Sequence, residues 1–285
     1  MEIVVLGSAN ADLVVRVERR PGAGETVLGS DTAVLPGGKG ANTAVAAGRL
    51  GGRVAFAGAV GPDSYGTLLL DSMRSAGVDV SLVRRDERGT GLAFITVTPD
   101  GENAIVVSQG ANAGLTMSDV DGLAWDGVKV LVASLEVPIP VVEHALAVAA
   151  GRGVRTVLNL SPAARLSTLS TVDVLVVNEH EAAWLLDGSG DPRRLLDLGP
   201  RSAVVTLGAK GAVVVSEDGT HEVPAPKVEV VDTTGAGDAF TGALAVGLAT
   251  GAGLETAARL AVRVASISVT RAGAQPSYPA GVDGS

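Results

Sequence analysis

Apolar residues recur along this chain in two rhythms. Short runs rich in Val, Leu and Ile fall at residues 2–7, 53–59, 128–133, 154–158, 173–177 and 202–206. Runs this short, bounded by turn residues, read as strands buried on both faces. Between them lie Ala- and Leu-rich stretches with helical character, at 40–50, 64–76 (ending at Gly77), 139–151, 179–186, 236–250 and 254–265. Strand and helix alternating at this interval predict βαβ units. The expected fold class is α/β, a doubly wound, mostly parallel sheet flanked by helices.

Two segments break the alternation. Residues 13–35 contain Leu13-Val14-Val15-Arg16-Val17, a Pro21-Gly22 turn and a second strand-like piece reaching Leu35. Residues 90–108 contain Leu92 to Val97, a Pro99-Asp100-Gly101 turn and Ala104 to Val107, which is a hairpin pattern. Both are expected in a small antiparallel β-sheet outside the main one. Such a sheet is either an ordinary edge hairpin or a lid over a site. The chain is otherwise taken as a single domain, 1–285, with the lid at about 13–35 and 90–108.

Composition narrows the chemistry. There is no cysteine, so disulfides, thiolate metal sites and cysteine nucleophiles are excluded, and a reducing, cytoplasmic location is expected. With 22 basic and 31 acidic residues the net charge is −9, which argues against nucleic acid or an anionic membrane as the main partner. Aromatics make up only 2% while 46% of residues are hydrophobic, so the core must be built from Val, Ala and Leu. The 38 glycines exceed what packing needs and suggest tight turns and close approach to a ligand. No targeting segment and no stretch apolar enough to span a bilayer is evident.

Three glycine-bearing motifs carry the candidate chemistry. In Val228 to Phe240 a strand is expected to end at Asp232, followed by the turn Thr233-Thr234-Gly235-Ala236-Gly237 and a helix opening near Gly237. Such a turn aims backbone N–H groups from the positive end of the helix dipole and makes an anion hole suited to a transferring phosphate. Asp238 in the first turn can be a helix cap. Two acids flanking the turn exceed what a cap requires. Second, Pro36-Gly37-Gly38-Lys39-Gly40-Ala41-Asn42 also precedes a helix, and its glycines let backbone approach a polyhydroxyl ligand. Third, Gly7-Ser8-Ala9-Asn10-Ala11-Asp12 follows the first strand, where open α/β sheets bind ligands. Asp12 can accept two sugar hydroxyls or can simply form an Asx turn. A dinucleotide fingerprint fails at Phe240, and a P-loop read onto Lys39 fails at Ala33 and Gly40.

Together these motifs resemble the PfkB family of sugar and nucleoside kinases over roughly residues 2 to 279. The resemblance rests on Gly37-Gly38-Lys39-Gly40-Ala41-Asn42, on Asp232 through Asp238, and on Asn178-Glu179-His180-Glu181 between them. Asn10-Ala11-Asp12 and Gly273-Ala274-Gln275-Pro276-Ser277 point to the ribokinase branch. The resemblance implies ATP-dependent phosphorylation of D-ribose at its 5-hydroxyl, with a nucleoside or another furanose as the alternative acceptor and a sugar-sensing protein as a remoter one. It implies that Asn10, Asp12, Gly38, Lys39, Gly40, Ala41, Asn42, Glu136, Asp232 and Asp238 contact the sugar. It makes Asp238 the base and Gly235, Ala236 and Gly237 the anion hole. Asn178 and the run Thr206, Leu207, Gly208, Ala209, Lys210 and Gly211 would line the nucleotide, with Gly237. Glu181 would hold Mg²⁺ through water. K⁺ would be enclosed by Asp232, Thr234, Ser268, Arg271, Gly273 and Ser277. A homodimer through the lid is also implied. Because Asp238 starts a helix, its carboxyl is expected not to be raised.

Overall fold

The structure, a computed structural model, describes residues 1–188 and 190–281. In chain order the strands and helices begin with β1 (Ile3–Leu6), β2 (Asn10–Arg16), β3 (Ala33–Gly37), α1 (Lys39–Arg49), β4 (Val54–Val60) and α2 (Ser64–Ser75). Then come β5 (Val83–Arg85), β6 (Gly91–Val97), β7 (Asn103–Ser108), α3 (Met117–Asp121), β8 (Val130–Ser134), α4 (Ile139–Gly151) and β9 (Arg155–Asn159). The chain continues through β10 (Val174–Asn178), α5 (Glu179–Leu185), β11 (Ser202–Thr206), β12 (Gly211–Ser216) and β13 (Gly219–Pro224) to α6 (Ala236–Ala249) and α7 (Leu254–Ser268).

The buried apolar runs pair into a nine-stranded sheet ordered β13-β12-β11-β10-β9-β8-β1-β4-β5. From β11 to β5 all neighbours are parallel, while β12 and β13 add an antiparallel edge. Period-two alternation splits each strand between two cores. Ile3 and Val5 face the core shared with α1, α6 and α7, whereas Val4 and Leu6 face the core shared with α4 and α5. The fully buried Phe56 is the one aromatic among the largest such side chains, so Val, Leu and Ala do fill the interior.

The small sheet is ordered β3-β2-β6-β7. It is mixed rather than purely antiparallel, because β2 and β6 run parallel. Each follows the carboxyl end of a parallel strand of the main sheet, β1 or β5, and so leaves it in the same direction. Its first strand starts at Asn10, not near residue 13, so Asn10 and Asp12 stand on a strand and not in an Asx turn. A second difference concerns the approach to Asp232. Residues 225–233 form no strand, and Val230 and Val231 are 55% and 61% exposed. The N–H groups of Val231 and Asp232 donate to the Val269 carbonyl beyond α7, so this β-rich stretch finds a helix end and not a neighbouring strand. Among the described residues, no helix is long and apolar enough to cross a membrane.

Candidate active site

Two helices, α1 and α6, begin where the carboxyl ends of the parallel strands open, and each begins at a left-handed glycine. Gly235 precedes α6 with φ of 73°. A Cβ there would sit 2.4 Å from the Tyr278 hydroxyl and 2.6 Å from the Ala274 Cβ, so both backbone and space demand glycine. The N–H of Ala236 closes the turn onto the Thr233 carbonyl at 3.2 Å, so that amide of the expected anion hole is used within the turn.

Asp238 is 6% exposed. Its carboxylate accepts from the Asn42 side-chain amide at 2.9 Å and does not cap its own helix. Burial pushes its carboxyl up to about 6, against the opposing pull of Lys39 and the Asn42 amide. This corrects the expectation that the helix terminus would leave it unraised. Desolvation disfavours the charged form more than the dipole and its partners favour it.

Facing Asp238 is a second acidic group. Burial, and then the charges of Glu136 and Asp238, raise Asp12 to about 7, with Lys39 opposing. The Glu136 carboxylate accepts from the Ser8 hydroxyl at 2.5 Å, from the Lys39 backbone N–H at 3.3 Å and from the Asn10 amide at 3.5 Å. Asn10 and Glu136 are therefore brought together with the start of α1. The glycines of the second motif serve internal packing, a role the sequence reading did not assign them. A Cβ on Gly37 would lie 2.2 Å from the Asp12 carboxylate, and one on Gly40 would lie 2.7 Å from the Gly7 backbone. Gly40, Ala41 and Asn42 are buried in the first turn of α1, and Gly38 supplies φ of 88° before it.

A cleft of about 180 Å³ opens beside Asp238 and Lys39. Lys39, Asn178, Glu181, Thr206, Gly235, Ala236, Gly237 and Asp238 all line it. Asn178 and Glu181 close the start of α5 on themselves. The Asn178 Oδ1 accepts the Glu181 N–H at 2.8 Å, and the Glu181 carboxylate accepts the Asn178 N–H at 2.9 Å. Leu207, Gly208, Ala209, Lys210 and Gly211 continue from Thr206 as the turn between β11 and β12. They do not line the cleft itself. The Lys210 ammonium lies 4.0 Å from Glu179 on its rim.

Of the residues expected around a monovalent cation, Asp232, Thr234 and Gly273 are joined directly. The Asp232 carboxylate accepts the Thr234 N–H and hydroxyl at 2.8 and 2.6 Å, and its second oxygen accepts the Gly273 N–H at 2.8 Å. Burial works to raise its carboxyl, but these hydrogen bonds outweigh it and hold the group below its usual range. The Ser268 carbonyl meets the Arg271 N–H at 3.4 Å, and the Ser277 hydroxyl donates to the Ala274 carbonyl at 2.8 Å. Ser268 and Ser277 are buried, and the Tyr278 hydroxyl staples their loop to the Gly235 carbonyl at 3.0 Å. The Asp232 carboxylate reaches Thr234 and Gly273 of these residues, and the oxygen donors offered by the six are of the class a hard cation takes.

Over residues 1–281 the chain matches the pfkB family of carbohydrate kinases. It belongs to that family. A ribokinase of Schizosaccharomyces pombe is 40% identical, over 100% of this chain and 98% of its own. A deoxyribokinase of Salmonella typhi is 36% identical, over 98% of this chain and 96% of its own. A solved ribokinase of Arabidopsis thaliana, complexed with ribose and ATP, aligns with a TM-score of 0.87 at 30% identity, covering 98% of this chain and 95% of that one. The chain is thus a kinase of the ribokinase-like fold.

For this pfkB kinase, sequence reasoning missed several residues that hold the site. Asn112 donates to Asn10 at 2.7 Å and to the Ala9 carbonyl at 3.2 Å, and accepts the Ala9 N–H at 3.0 Å. It lies in a short 3₁₀ turn, with no motif around it. The only available signal was an Asn in a run otherwise made of Gly and Ala. Ser8 was visible inside the third motif but carried no assigned role.

Proposed function

We propose that this kinase transfers the terminal phosphoryl group of ATP to the 5-hydroxyl of D-ribose. One observation carries the reading. The buried Asp238 stands at the glycine-led start of α6, between the polar group of Asn10, Asp12 and Glu136 and the cleft lined by Asn178 and Thr206. Phosphoryl transfer needs alignment and charge neutralisation more than covalent chemistry. Ribose lies along Asn10, Asp12, Asn42 and Glu136, with Asp232 at the far end of the turn. Asp238, mostly ionised at neutral pH with its carboxyl near 6, aligns the 5-hydroxyl and takes its proton as the oxygen bonds to phosphorus. The amides of Gly237 and Asp238 stabilise charge on the moving phosphoryl oxygens. ATP lies along Asn178, Thr206 and the turn from Leu207 to Gly211.

Two ions complete the reading. Glu181 lines the cleft with its orientation fixed by the capping bond, which suits a water-mediated hold on Mg²⁺. When bound, that ion neutralises phosphate oxygens while keeping several waters. Asp232, Thr234, Ser268, Arg271, Gly273 and Ser277 would hold K⁺, whose charge would order the peptide dipoles of the turn.

The small sheet is a lid and a dimer interface. Its register lines up Val34, Leu13, Phe94 and Val106 across all four strands, on the face opposite Asp12. Phe94 and Val106 are 46% and 69% exposed, an apolar row suited to a second copy of the same sheet.

A coupled ADP-release assay with ribose, 2-deoxyribose, fructose and adenosine tests the substrate. The highest kcat/KM belongs to ribose. A preference for adenosine would make the chain a nucleoside kinase, and no turnover with any acceptor would leave a sugar sensor.

A further inference from the structure

The Asn42 side chain lies between two buried partners. Its Nδ2 donates to Asp238 at 2.9 Å, and its Oδ1 accepts from the Gln275 Nε2 at 3.0 Å. The Gln275 Oε1 in turn accepts the Ser72 hydroxyl at 2.6 Å. Gln275 is 1% exposed and Asn42 is 6% exposed, so water does not substitute freely for either partner. An amide has a donor end and an acceptor end of nearly equal shape, and only its partners fix which way it points. An ionised Asp238 only accepts, so Asn42 must turn its NH₂ toward it. The Asn42 oxygen then needs a donor, which Gln275 supplies. The Gln275 oxygen then needs a donor, which Ser72 supplies. Every donor in the chain points toward the carboxylate, across α2, the C-terminal loop, α1 and α6.

We propose that Gln275 is a positioning residue for phosphoryl transfer, which fixes the direction of the Asn42 amide and so keeps a hydrogen-bond donor on Asp238. The inference rests on the reading of Asp238 as the group that takes the proton. The loop carrying Gln275 is itself pinned. The Arg49 guanidinium donates to the carbonyls of Gln275 and, at 3.0 Å, of Tyr278. Without the Gln275 donor, the Asn42 amide is free to turn over and set oxygen against oxygen at Asp238, which favours the protonated carboxyl. The charged and titratable groups facing Asp238 are Lys39 on α1, Glu136 beyond β8, Asp12 on β2 and the Tyr278 phenol. A change at Gln275 leaves all four in place, so a shift in the acid limb reports on the amide chain.

The test compares Gln275→Met, Ser72→Ala, Asn42→Ala, the double variant of Gln275→Met with Asn42→Ala, and Asp238→Asn. For each, kcat at saturating ribose and ATP is followed between about pH 5 and pH 8, with thermal melting alongside. Gln275→Met keeps length and removes hydrogen bonding. Its kcat should fall about tenfold at the acid end and less at the alkaline end, with the acid limb moved to higher pH. In the Asn42→Ala background the same change should alter kcat by less than about twofold, because the residue acts through that amide. A Gln275→Met profile that superimposes on the wild type, or effects that multiply in the double variant, would overturn the proposal. If Gln275→Met does not fold, Ser72→Ala decides. A smaller upward move of the acid limb supports the chain, and an unmoved limb overturns it. Asp238→Asn separates the two levels, since wild-type kcat there would remove the base reading whatever Gln275 does.

Discussion

The starts of α5 and α6 open on the same cleft, and they are finished in opposite ways. At α5, Asn178 and Glu181 exchange hydrogen bonds with each other's backbone, so the helix closes on its own side chains. At α6, the cap is Gly235, and the acid in the first turn gives its carboxylate to Asn42 instead. Of these two helix starts, α6 is the one whose end is not closed by a side-chain cap. A glycine-led start with an acid turned sideways leaves backbone amides to a ligand, whereas a reciprocal side-chain cap uses amides internally and offers the cleft only its side chains.

The sharpest way to break this contrast is a paired substitution. Asp238→Asn should lower kcat by about 10²-fold or more while ribose and ATP dissociation constants stay within a few-fold. Glu181→Gln keeps a cap acceptor and should lower kcat by about tenfold at most, while raising the Mg²⁺ concentration for half-maximal rate. Steady-state kinetics with calorimetry reads both. Equal losses at the two helix starts would erase the distinction.

The next effect is on the sugar side. Removing the Asp12 carboxylate in Asp12→Ala should weaken ribose by about 1.5–3 kcal/mol for each charged hydrogen bond lost, read by calorimetry. Stability should move the other way. Burial raises Asp12 from 3.8 to about 7, so between those values the folded chain holds a proton that the unfolded chain has released. Stability then falls as pH rises through that window. Asp12→Asn should raise Tm at pH 8 and leave it nearly unchanged at pH 4. A variant less stable than wild type at pH 8 would mean that the ionised carboxylate is better satisfied than its burial implies.

Smaller still is the cation effect on the α6 turn. In Tris or choline buffer at matched ionic strength, KCl should raise kcat several-fold over NaCl, with little change in ribose KM. Equal rates in all salts would show that Asp232 and its loop only brace the turn. The last prediction concerns assembly. Light scattering at micromolar concentration should give twice the 28.4 kDa chain mass, and Phe94→Asp should return it to monomer. A wild-type monomer would leave the exposed row without its partner.

Much of the fold was legible because period and composition agreed. The runs at 154–158 and 202–206 are β9 and β11 nearly residue for residue, and the Ala-rich stretch at 236–250 is α6. The failures have physical causes. Val228 to Val231 has strand composition but forms no strand, and the N–H groups of Val231 and Asp232 meet the end of α7 instead. β12 and β13 were missed because an antiparallel edge hairpin adds no helix to the alternation, and β13 buries only Val223. In the site, residues inside a glycine motif were legible in themselves, Glu136, Asn178 and Glu181 through the family resemblance, and Asn112 and Ser72 not at all. Asn112 and Ser72 reach the polar cluster only through the tertiary fold, from 102 residues away from Asn10 and 203 residues away from Gln275. The carboxyl of Asp238 was misjudged for a related reason, because sequence shows the helix start but not the burial that outweighs it.

The central claim is that the start of α6 delivers phosphate to a primary hydroxyl of the sugar. Proton-coupled phosphorus NMR of the product formed from ATP and D-ribose tests it directly. The account predicts a phosphomonoester signal split into a triplet by the two protons on carbon 5. A doublet, which places the phosphate on the anomeric or a secondary carbon, would contradict it.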